Sequence, residues 1–293
     1  MSSSTPTPVN YCGRIFTAEE IKRIIELIAS DPPRNRAQLS RLVCDELRWL
    51  RADGRRKDMS CRVAMIRMDR DGIISLPRPR KGNGNGKIYG RKTPAADPDL
   101  PITADAQALG ELQLQLIEDK GQSHLWNEYI QRYHYLGYSP LPGAQLRYFV
   151  RSQGKVLALL GFGASAWKVA PRDRFIGWTP EQRVRRLNLI VNNARFLILP
   201  WVRSHNLASK LLSMAARRLV SDWEKRYGYC PVLLETFVET QRFRGTCYKA
   251  ANWIYLGETQ GRGKLDVHKT ASLPIKAVLV LPLQKNFRQV LCS

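Results

Sequence analysis

The sequence of 293 residues predicts an α/β (α+β) chain with a helical N-terminal domain followed by a mixed-sheet domain. Apolar residues recur at helical spacing through residues 17–70. From residue 145 the pattern changes to a hairpin and then to strand–helix–strand order, which indicates a mixed sheet. A segment rich in Gly, Asn and Pro separates the two parts and is typical of a linker. The predicted boundaries are a disordered segment at 1–13, a helical domain at 14–81, a linker at 82–102 and the mixed-sheet domain at 103–293.

Three helices are predicted in the N-terminal domain. Thr17, followed by Glu20, forms the capping-box pattern that starts the first helix. The second helix is predicted over Arg36–Leu50 and the third over Asp58–Arg70, each with one apolar face. Ile73–Leu76 then predicts a short strand, and a basic turn follows it. This order of elements is that of a winged helix-turn-helix, which implies duplex DNA as the partner.

The basic side chains of this domain are the predicted nucleic-acid contacts. In a winged helix-turn-helix the third helix enters the major groove, and we expect the turn after the strand to contact the DNA backbone. A three-helix bundle with a solvated basic face is the alternative explanation. The predicted contacts are Lys57, Arg62, Arg67 and Arg70 around the third helix, and Arg78, Arg80 and Lys81 on the turn.

The overall charge points to the same kind of partner. The chain has 47 Lys and Arg against 25 Asp and Glu, a net charge of +22. The surplus is +10 over residues 1–92 and +17 over residues 146–293, whereas residues 93–145 carry −5. Because neutralising phosphates releases condensed counterions, a surplus on folded segments favours nucleic acid or another polyanion. A basic protein that is merely soluble is the alternative.

Composition disfavours several classes of protein. No apolar run approaches the ~20 residues that a membrane span requires, and the N-terminus lacks the basic and apolar regions of a secretory signal. The six cysteines form no CxxC and no short spacing with the four histidines, which disfavours a disulfide framework and a zinc site. We therefore expect a cytoplasmic protein with reduced thiols and no membrane partner.

Strands and helices are predicted to alternate in the C-terminal domain. A helix is expected over residues 103–133, and a hairpin follows at Leu146–Arg151 and Val156–Gly163. Thr179 is the predicted cap of a polar helix that ends near Arg186. The later elements are a strand at 194–199, a helix at 207–227, a strand at 232–238, a turn or short helix at 242–253 and a strand at 275–281.

A loop stands between the strand predicted at 194–199 and the following helix, where the helix N–H groups and dipole favour an anion. It reads Arg203-x-x-Asn206-x-Ala208 and resembles the pyrophosphate loop of the GNAT superfamily of N-acyltransferases, Arg/Gln-x-x-Gly-x-Gly/Ala. The resemblance implies a GNAT-like fold with these three residues as a phosphate or cofactor loop. Asn tolerates the positive φ of a glycine position, but its side chain takes space that a phosphate needs, so we do not expect tight acyl-CoA binding.

A second motif of the same kind follows along the chain. Tyr248-Lys-Ala-Ala-Asn252-Trp253 resembles the superfamily pattern Tyr-x-x-x-Gly-Phe, again with Asn in the glycine position. In that superfamily the tyrosine often serves as general acid toward the leaving thiolate, which implies this role for Tyr248. An ordinary strand–helix–strand unit with a capped helix is the alternative.

Longer motifs are spread over the C-terminal part of the chain. They are Arg132–Gly137, Phe196–Arg203, Leu207–Ser209, Tyr227–Tyr229, Leu234–Glu239, Arg242–Trp253 and Gly261–Lys264. Together they resemble the DruA family, which is named for the Druantia anti-phage system and has similar proteins in mobile genetic elements. The resemblance implies a role in phage defence or in a mobile element, with other defence or transposition proteins as partners. It implies no particular reaction.

Two carboxylates on one predicted strand carry the catalytic hypothesis. Glu235 and Glu239 are four residues apart, so on a strand they share one face. Such a pair can transfer protons or hold a divalent metal for phosphodiester chemistry, or it can form structural ion pairs with neighbouring arginines. The predicted catalytic residues are Glu235, Glu239 and Tyr248, and the further predicted nucleic-acid contacts are Arg242, Arg244, Arg262 and Lys264.

Three functions remain open at the level of the sequence. The leading one is a DNA-binding protein of phage defence or of a mobile element. The second is an acyl-CoA-dependent N-acyltransferase, and the third is a metal-dependent nuclease or transposase-type enzyme that uses Glu235 and Glu239. The cofactor is open as well, since a divalent metal fits the third function and acyl-CoA the second. If variants of Glu235 and Tyr248 fold and keep full activity, the functional centre is expected around His134 and Tyr135.

Overall fold

The computed structural model divides the chain into two compact units, residues 1–87 and 88–293. The predicted contacts Arg80, Lys81 and Lys264 lie outside the described residues, as does the glycine-rich part of the predicted linker. The structure describes residues 8–30, 34–51, 53–79, 92–262 and 273–293.

The N-terminal unit contains a short hairpin and three helices. The Glu20 N–H donates to the Thr17 hydroxyl at 3.2 Å, and the Thr17 N–H donates to the Glu20 carboxylate at 3.1 Å. The capping box predicted for the first helix is therefore confirmed, and the third helix has its predicted bounds. The elements of this unit are β1 (Val9–Tyr11), β2 (Arg14–Phe16), α1 (Ala18–Ala29), α2 (Arg36–Glu46) and α3 (Asp58–Arg70).

Two expectations for this unit are corrected by the structure. β1 pairs antiparallel with β2, so the chain from residue 9 onward is ordered where the sequence predicted disorder. α2 ends at Glu46 and not at Leu50, because Arg48 has a φ of 45°, in the left-handed region that interrupts a helix. Trp49 nevertheless reaches the core of the unit from the loop that follows, which explains why the apolar pattern continued there.

The segment after α3 has no regular secondary structure between residues 73 and 79, where the sequence predicted a short strand. The Leu76 N–H donates to the Asp69 carboxylate at 2.8 Å, and this bond ties the segment back to α3. An isolated β-bridge joins Leu50 to Arg56, in the loop that connects α2 with α3. A tight basic turn therefore precedes α3 in the chain.

Among the described residues, the C-terminal unit forms a seven-stranded mixed sheet. Its strands, with two short ones beside the sheet, are β3 (Ile102–Thr103), β4 (Gln113–Leu116), β5 (Gln145–Ser152), β6 (Lys155–Ala164), β7 (Ile190–Ile198), β8 (Val202–Arg203), β9 (Leu233–Glu239), β10 (Ile254–Glu258) and β11 (Lys276–Pro282). The order across the sheet is β10-β11-β9-β7-β6-β5-β4, with β7 parallel to β9 and the other neighbours antiparallel. β3 and β8 form a separate parallel pair.

Helices cover both faces of this sheet. The Trp126 ring lies against Gly161 on one face, and the Tyr148 hydroxyl donates to Asp222 at 3.1 Å on the other. The helices of the unit are α4 (Lys120–Tyr133), α5 (Ala170–Ile176), α6 (Pro180–Arg186), α7 (Leu207–Tyr227), α8 (Thr246–Ala250) and α9 (Phe287–Leu291). α4 and α7 therefore lie on opposite faces. None of the described helices combines the length and the apolar character needed to cross a membrane.

Several elements of this unit follow the prediction closely. β5 and β6 form the predicted hairpin, and Gln153 and Gly154 have φ angles of 47° and 76°, as a tight two-residue turn requires. The Thr179 hydroxyl accepts from the Gln182 N–H at 3.2 Å and caps α6. α7 has the predicted bounds. The α/β class predicted from the sequence is confirmed.

The region predicted as one helix over residues 103–133 is in fact a strand followed by a helix. Leu112, Leu114 and Leu116 alternate with polar residues at the period of a strand, and β4 forms there at the edge of the sheet. The helix begins only at Lys120. Because leucines in this region also fit a helical spacing, the sequence alone favoured a helix.

The end of the predicted linker is packed onto α4. The N–H and the hydroxyl of Thr93 both donate to the Glu128 carboxylate, at 2.6 and 2.7 Å. Arg132, one turn further along the helix, pairs with Asp97 at 2.6 Å. These charge-assisted bonds hold the segment in place, so residues 93–102 belong to the folded unit and are not a flexible linker.

The parallel strands β7 and β9 pair over only three residues, and the last pair is Asn192 with Glu235. Both strands continue beyond this pair without pairing with each other, and we call the wedge between them the opening. A bulge between Asn193 and Arg195 turns these two side chains to opposite faces of the sheet. Arg195 stands opposite Gly161 on the α4 face, whereas Asn193 faces α7.

The contact of Gly161 with α4 provides a test of this packing. A Cβ at Gly161 would lie 3.0 Å from the Trp126 ring and 3.2 Å from the Arg195 Cβ. We expect Gly161→Ala to lower the free energy of unfolding by about 1–3 kcal/mol, the usual cost of overpacking. Gly163→Ala on the same strand is the control, because its Cβ would lie at an ordinary 3.5 Å from Leu141. Urea unfolding measures both, and equal stabilities of the two variants would contradict the close contact.

Candidate functional site

Tyr248 bridges the opening on the α7 side. Its hydroxyl donates to Asn193 Oδ1 at 2.7 Å, and the Thr236 hydroxyl donates to the Asn193 carbonyl at 3.1 Å. Burial raises the pKa of Tyr248, so the phenol stays protonated at neutral pH. The opening therefore contains a buried hydroxyl donor, contributed by the residue for which the GNAT resemblance implies a general acid.

Glu235, at the last paired position of β9, forms a fully buried ion pair. Its carboxylate accepts from Arg172 Nη1 at 2.7 Å and from the Ala166 N–H at 2.7 Å, and neither charged side chain has any solvent exposure. Arg172 also pairs with Asp173 at 2.7 Å. Burial raises the pKa of Glu235, and the adjacent Arg172 opposes that rise. All the bonds of this carboxylate are internal, which is the geometry of a structural ion pair.

Glu239 lies at the other end of the same strand face. Its carboxylate accepts from Arg242 Nε at 2.8 Å, and the Arg242 side chain is 58% exposed. Four strand residues span about 13 Å, so Glu235 and Glu239 are too far apart to bind one metal ion. In the described part of the chain, His, Cys, Asp and Glu form no group of three that could hold a metal. The geometry therefore disagrees with the shared-metal hypothesis.

The loop before α7 has the backbone geometry of a glycine loop. Asn206 has a φ of 59° and precedes the helix without a side-chain cap, and Asn252 has a φ of 63°. Both asparagines that replace glycines in the GNAT-like motifs thus adopt the conformation that glycine favours. Arg203 is exposed, and the Ser204 Oγ is buried without a partner among the described residues. An unsatisfied buried hydroxyl beside the N-terminus of a long helix fits an anionic group such as a phosphate.

A second segment of the chain lines this loop. The Ile102 N–H donates to the Trp201 carbonyl at 2.8 Å, and Lys210 Nζ, in the first turn of α7, donates to the Ala106 carbonyl at 3.2 Å. Residues 102–106 therefore lie along the loop and engage one of its cations. Ala208 lies in that first turn and is half-buried.

In the N-terminal unit, arginines line a concave part of the surface near the α2–α3 loop, which encloses a volume of about 610 Å³. We call it the basic surface. Two carboxylates offset part of its charge, since Asp45 pairs with Arg56 at 2.5 Å and Asp58 pairs with Arg62 at 3.5 Å. Arg41, Arg51 and Arg55 were missed by sequence reasoning, although the basic run at 51–57 was a visible signal. The residues that line the basic surface are Arg41, Asp45, Leu50, Arg51, Gly54, Arg55, Arg56 and Asp58.

The structure places most of the predicted nucleic-acid contacts at the surface. Arg62 is the exception on α3, with a side chain that is 29% exposed and paired with Asp58. α3 also exposes an apolar row of Met59, Val63 and Ile66 beside its arginines. The exposed predicted contacts are Lys57, Arg67, Arg70 and Arg78 in the N-terminal unit and Arg242, Arg244 and Arg262 in the C-terminal unit.

On the α4 face, sequence reasoning missed Phe243, which joins the His134–Tyr135 pair to form a cluster of rings that we call the aromatic platform. The His134 and Tyr135 rings stack at 4.9 Å, and Phe243 meets Tyr135 edge-on at 5.1 Å. Burial, with a smaller effect of Arg195, lowers the pKa of His134 to about 4. The imidazole is therefore neutral at physiological pH, and its Nδ1 accepts from the Leu136 N–H at 3.2 Å.

A family model described as Druantia protein DruA matches residues 67–278. The chain belongs to the DruA family. This membership confirms the resemblance carried by the long motifs of the C-terminal unit, and it covers part of α3 as well. No curated protein matches the chain.

Several solved structures of acetyltransferases are similar in fold to this DruA protein. The ribosomal-protein-S18-alanine N-acetyltransferase of Escherichia coli is 12% identical, with a TM-score of 0.36 over 59% of this chain and 95% of its own. The polyamine N-acetyltransferase of Drosophila melanogaster is 11% identical, with a TM-score of 0.38 over 59% of this chain and 100% of its own. An N-acetyltransferase of Staphylococcus aureus Mu50 is 13% identical, with a TM-score of 0.38 over 60% and 100%. Similarity at this level assigns no cofactor or reaction to the DruA chain.

The two carboxylates of β9 should differ sharply in their contribution to stability. Glu235→Ala removes the fully buried partner of Arg172 and leaves the guanidinium with Asp173, so we expect the free energy of unfolding to fall by about 3 kcal/mol. Glu239→Ala breaks a pair whose arginine is largely exposed, and we expect a loss of about 1 kcal/mol or less. Chemical unfolding of both variants measures the difference. A Glu235→Ala variant as stable as wild type would return Glu235 to the list of candidate catalytic residues.

Proposed function

We propose that this DruA protein binds nucleic acid in phage defence or in a mobile element, and that its N-terminal unit binds duplex DNA. The observation that carries the proposal is the basic surface, where Arg41, Arg51, Arg55 and Arg56 converge on one concavity. The proposed site of action is the cytoplasm, and other defence or transposition proteins are the proposed partners.

Arginine suits a surface of this kind for a physical reason. Its planar guanidinium remains charged at any physiological pH and can donate two parallel bonds to one phosphate. Arg56 is held by Asp45 at 2.5 Å, whereas the pair of Arg55 with Asp53 is long, at 4.0 Å. Arg41 and Arg51 form no ion pair with a carboxylate in the described part of the chain. We infer that Arg41, Arg51 and Arg55 contact the DNA backbone.

α3 supplies the groups that suit the bases themselves. Arg67 and Arg70 are exposed along the helix, and guanidinium groups read guanine edges in the major groove. The exposed apolar row of Met59, Val63 and Ile66 suits the methyl groups of thymine. This division assigns backbone contact to the α2–α3 turn and base contact to α3, as in other helical DNA-binding domains.

The salt dependence of DNA binding tests the basic surface. Each phosphate contact contributes about 0.9 to the slope of log K against log salt. The double variant Arg51→Ala/Arg55→Ala should therefore bind a duplex more weakly and shallow that slope by up to about two units. Fluorescence anisotropy between low and moderate salt gives both values.

A matched control changes the same charge elsewhere on the unit. Lys22 and Arg23 lie exposed on α1, outside the basic surface, and Arg23 pairs with Glu26 and Glu46. Lys22→Ala/Arg23→Ala removes two cations as well, and we expect the slope to stay close to that of wild type. Equal effects of the two double variants would show that only net charge matters, and the basic surface would then be ruled out as the binding site.

An acyl-CoA-dependent N-acyltransferase is the second candidate function, and two observations favour it. Asn206 adopts the left-handed conformation of a phosphate loop, and Tyr248 presents a protonated hydroxyl in the opening. Arg203, the Ser204 hydroxyl and the first N–H groups of α7 would hold the pyrophosphate, and Tyr248 would donate a proton to the departing sulfur. Bound acyl-CoA would supply the activated acyl group.

Calorimetry with acetyl-CoA separates the two candidates. We expect no micromolar binding by the wild type, because a side chain at position 206 takes space that a phosphate needs, and Lys210 of the first helical turn already donates to the Ala106 carbonyl. Asn206→Gly removes the side chain at a positive φ that glycine adopts without strain, so any latent affinity should increase in this variant. Micromolar binding by the wild type would favour the acyltransferase over the nucleic-acid-binding function.

A further inference from the structure

The aromatic platform lies at the surface beside the opening. Phe243 is 48% exposed and Tyr135 is 38% exposed, although both rings are large and apolar. The turn that carries Phe243 is fixed, because the N–H groups of Arg242 and Phe243 both donate to the Glu239 carbonyl, at 3.1 and 2.9 Å. Phe243 is thus presented on an ordered turn rather than on a loose loop, and Tyr135 meets it from the segment after α4. The two rings touch, so together they form one exposed apolar patch rather than two scattered residues.

The Tyr135 and Phe243 rings differ in how far neighbouring groups cover them. The Tyr135 ring is stacked on His134, and the Arg242 guanidinium lies 5.5 Å from its centre. Phe243 meets Tyr135 only at an edge, with an angle of 61° between the rings. The exposed surface of Phe243 is therefore open to an incoming flat group, and Tyr135 supports it from the side.

Positive charge surrounds these rings. Arg195 is half-buried on the α4 face, and its guanidinium donates to the Ala194 carbonyl at 2.7 Å and to the Ser139 hydroxyl at 2.9 Å. Among the described residues it has no ion pair with a carboxylate, and burial lowers its pKa. Arg244 is exposed on the same turn as Phe243. A partly desolvated guanidinium without a counter-ion, next to exposed rings, favours an anionic aromatic ligand.

We propose that the aromatic platform binds an unpaired base of single-stranded nucleic acid, with Phe243 as the stacking ring. Arg195 and Arg244 contact the adjacent phosphates, whereas Arg242 is held by Glu239 at 2.8 Å and lies against the Tyr135 ring. Single-strand binding proteins combine aromatic stacking with cationic tracks in this way, and the stacking tolerates any base. A ring in a duplex base pair is already stacked and cannot be reached from outside the helix, so the platform selects single strands. The inference rests on the proposed nucleic-acid function and adds a second site, on the C-terminal unit.

The test uses the full chain and two labelled probes, a short oligo(dT) and a duplex of the same length. Phe243→Ala should weaken oligo(dT) binding about five-fold or more, the effect of losing one stacked base, and leave duplex binding unchanged. Phe243→Trp should restore binding, because it keeps a ring at the same position. Tyr255→Ala is the matched control, since Tyr255 is 49% exposed and has Lys249 Nζ 5.8 Å from its ring, outside the aromatic platform. Circular dichroism verifies that each variant is folded.

The possible results distinguish the aromatic platform from the proposed nucleic-acid function. Weaker binding of oligo(dT) by Phe243→Ala alone, with rescue by Phe243→Trp, supports the platform. Unchanged oligo(dT) affinity, or an equal loss in Tyr255→Ala, overturns it while the duplex result still supports the proposed function. A changed oligomeric state at unchanged oligo(dT) affinity overturns it too, and assigns the rings to a protein contact. If the wild type binds neither probe, the proposed function fails first and the platform with it.

Discussion

A buried ion pair lies where the sheet of the C-terminal unit opens. Glu235 is the last residue of β9 that pairs with β7, and Arg172 neutralises it where neither side chain reaches solvent. Removing two charges from water costs several kcal/mol per ion, which is offset only when the ions are well paired and fully bonded. Arg172 therefore holds α5 against the sheet at the point where the two strands part. The groups that follow this point are left to line the opening.

The two faces of the opening have different chemistry because one bulge separates Asn193 from Arg195. On the α7 face, Tyr248 and Asn193 form a buried neutral network, near a loop with the backbone of an anion site. On the α4 face, Arg195 stands beside exposed rings. A single strand thus contributes a neutral donor network to one side and a cation to the other.

Net charge alone does not identify the arginines that are free for a ligand. Arg62 is paired with Asp58 within α3, and Arg56 is paired with Asp45, so both have a carboxylate partner already. Surface pairs of this kind contribute little to stability, but they compete with phosphate for the guanidinium. Arg55 has only a long pair with Asp53, at 4.0 Å, and its side chain is 68% exposed. The ion pairs, and not the count of basic residues, therefore favour Arg51 and Arg55 as the candidates of the basic surface.

Local sequence patterns were sufficient wherever the interacting residues are near neighbours. The capping box of Thr17 and Glu20 and the bounds of α7 follow from a few adjacent residues, and the α/β class and the DruA motifs were also readable in the sequence. The leucines before α4 fitted two periods, and their place at a sheet edge settled the ambiguity in favour of a strand. The partner of Glu235 and the ring that meets Tyr135 come from distant parts of the chain. Whether a carboxylate is a catalyst or a counter-ion depends on burial and on such distant partners, which only the folded structure brings together.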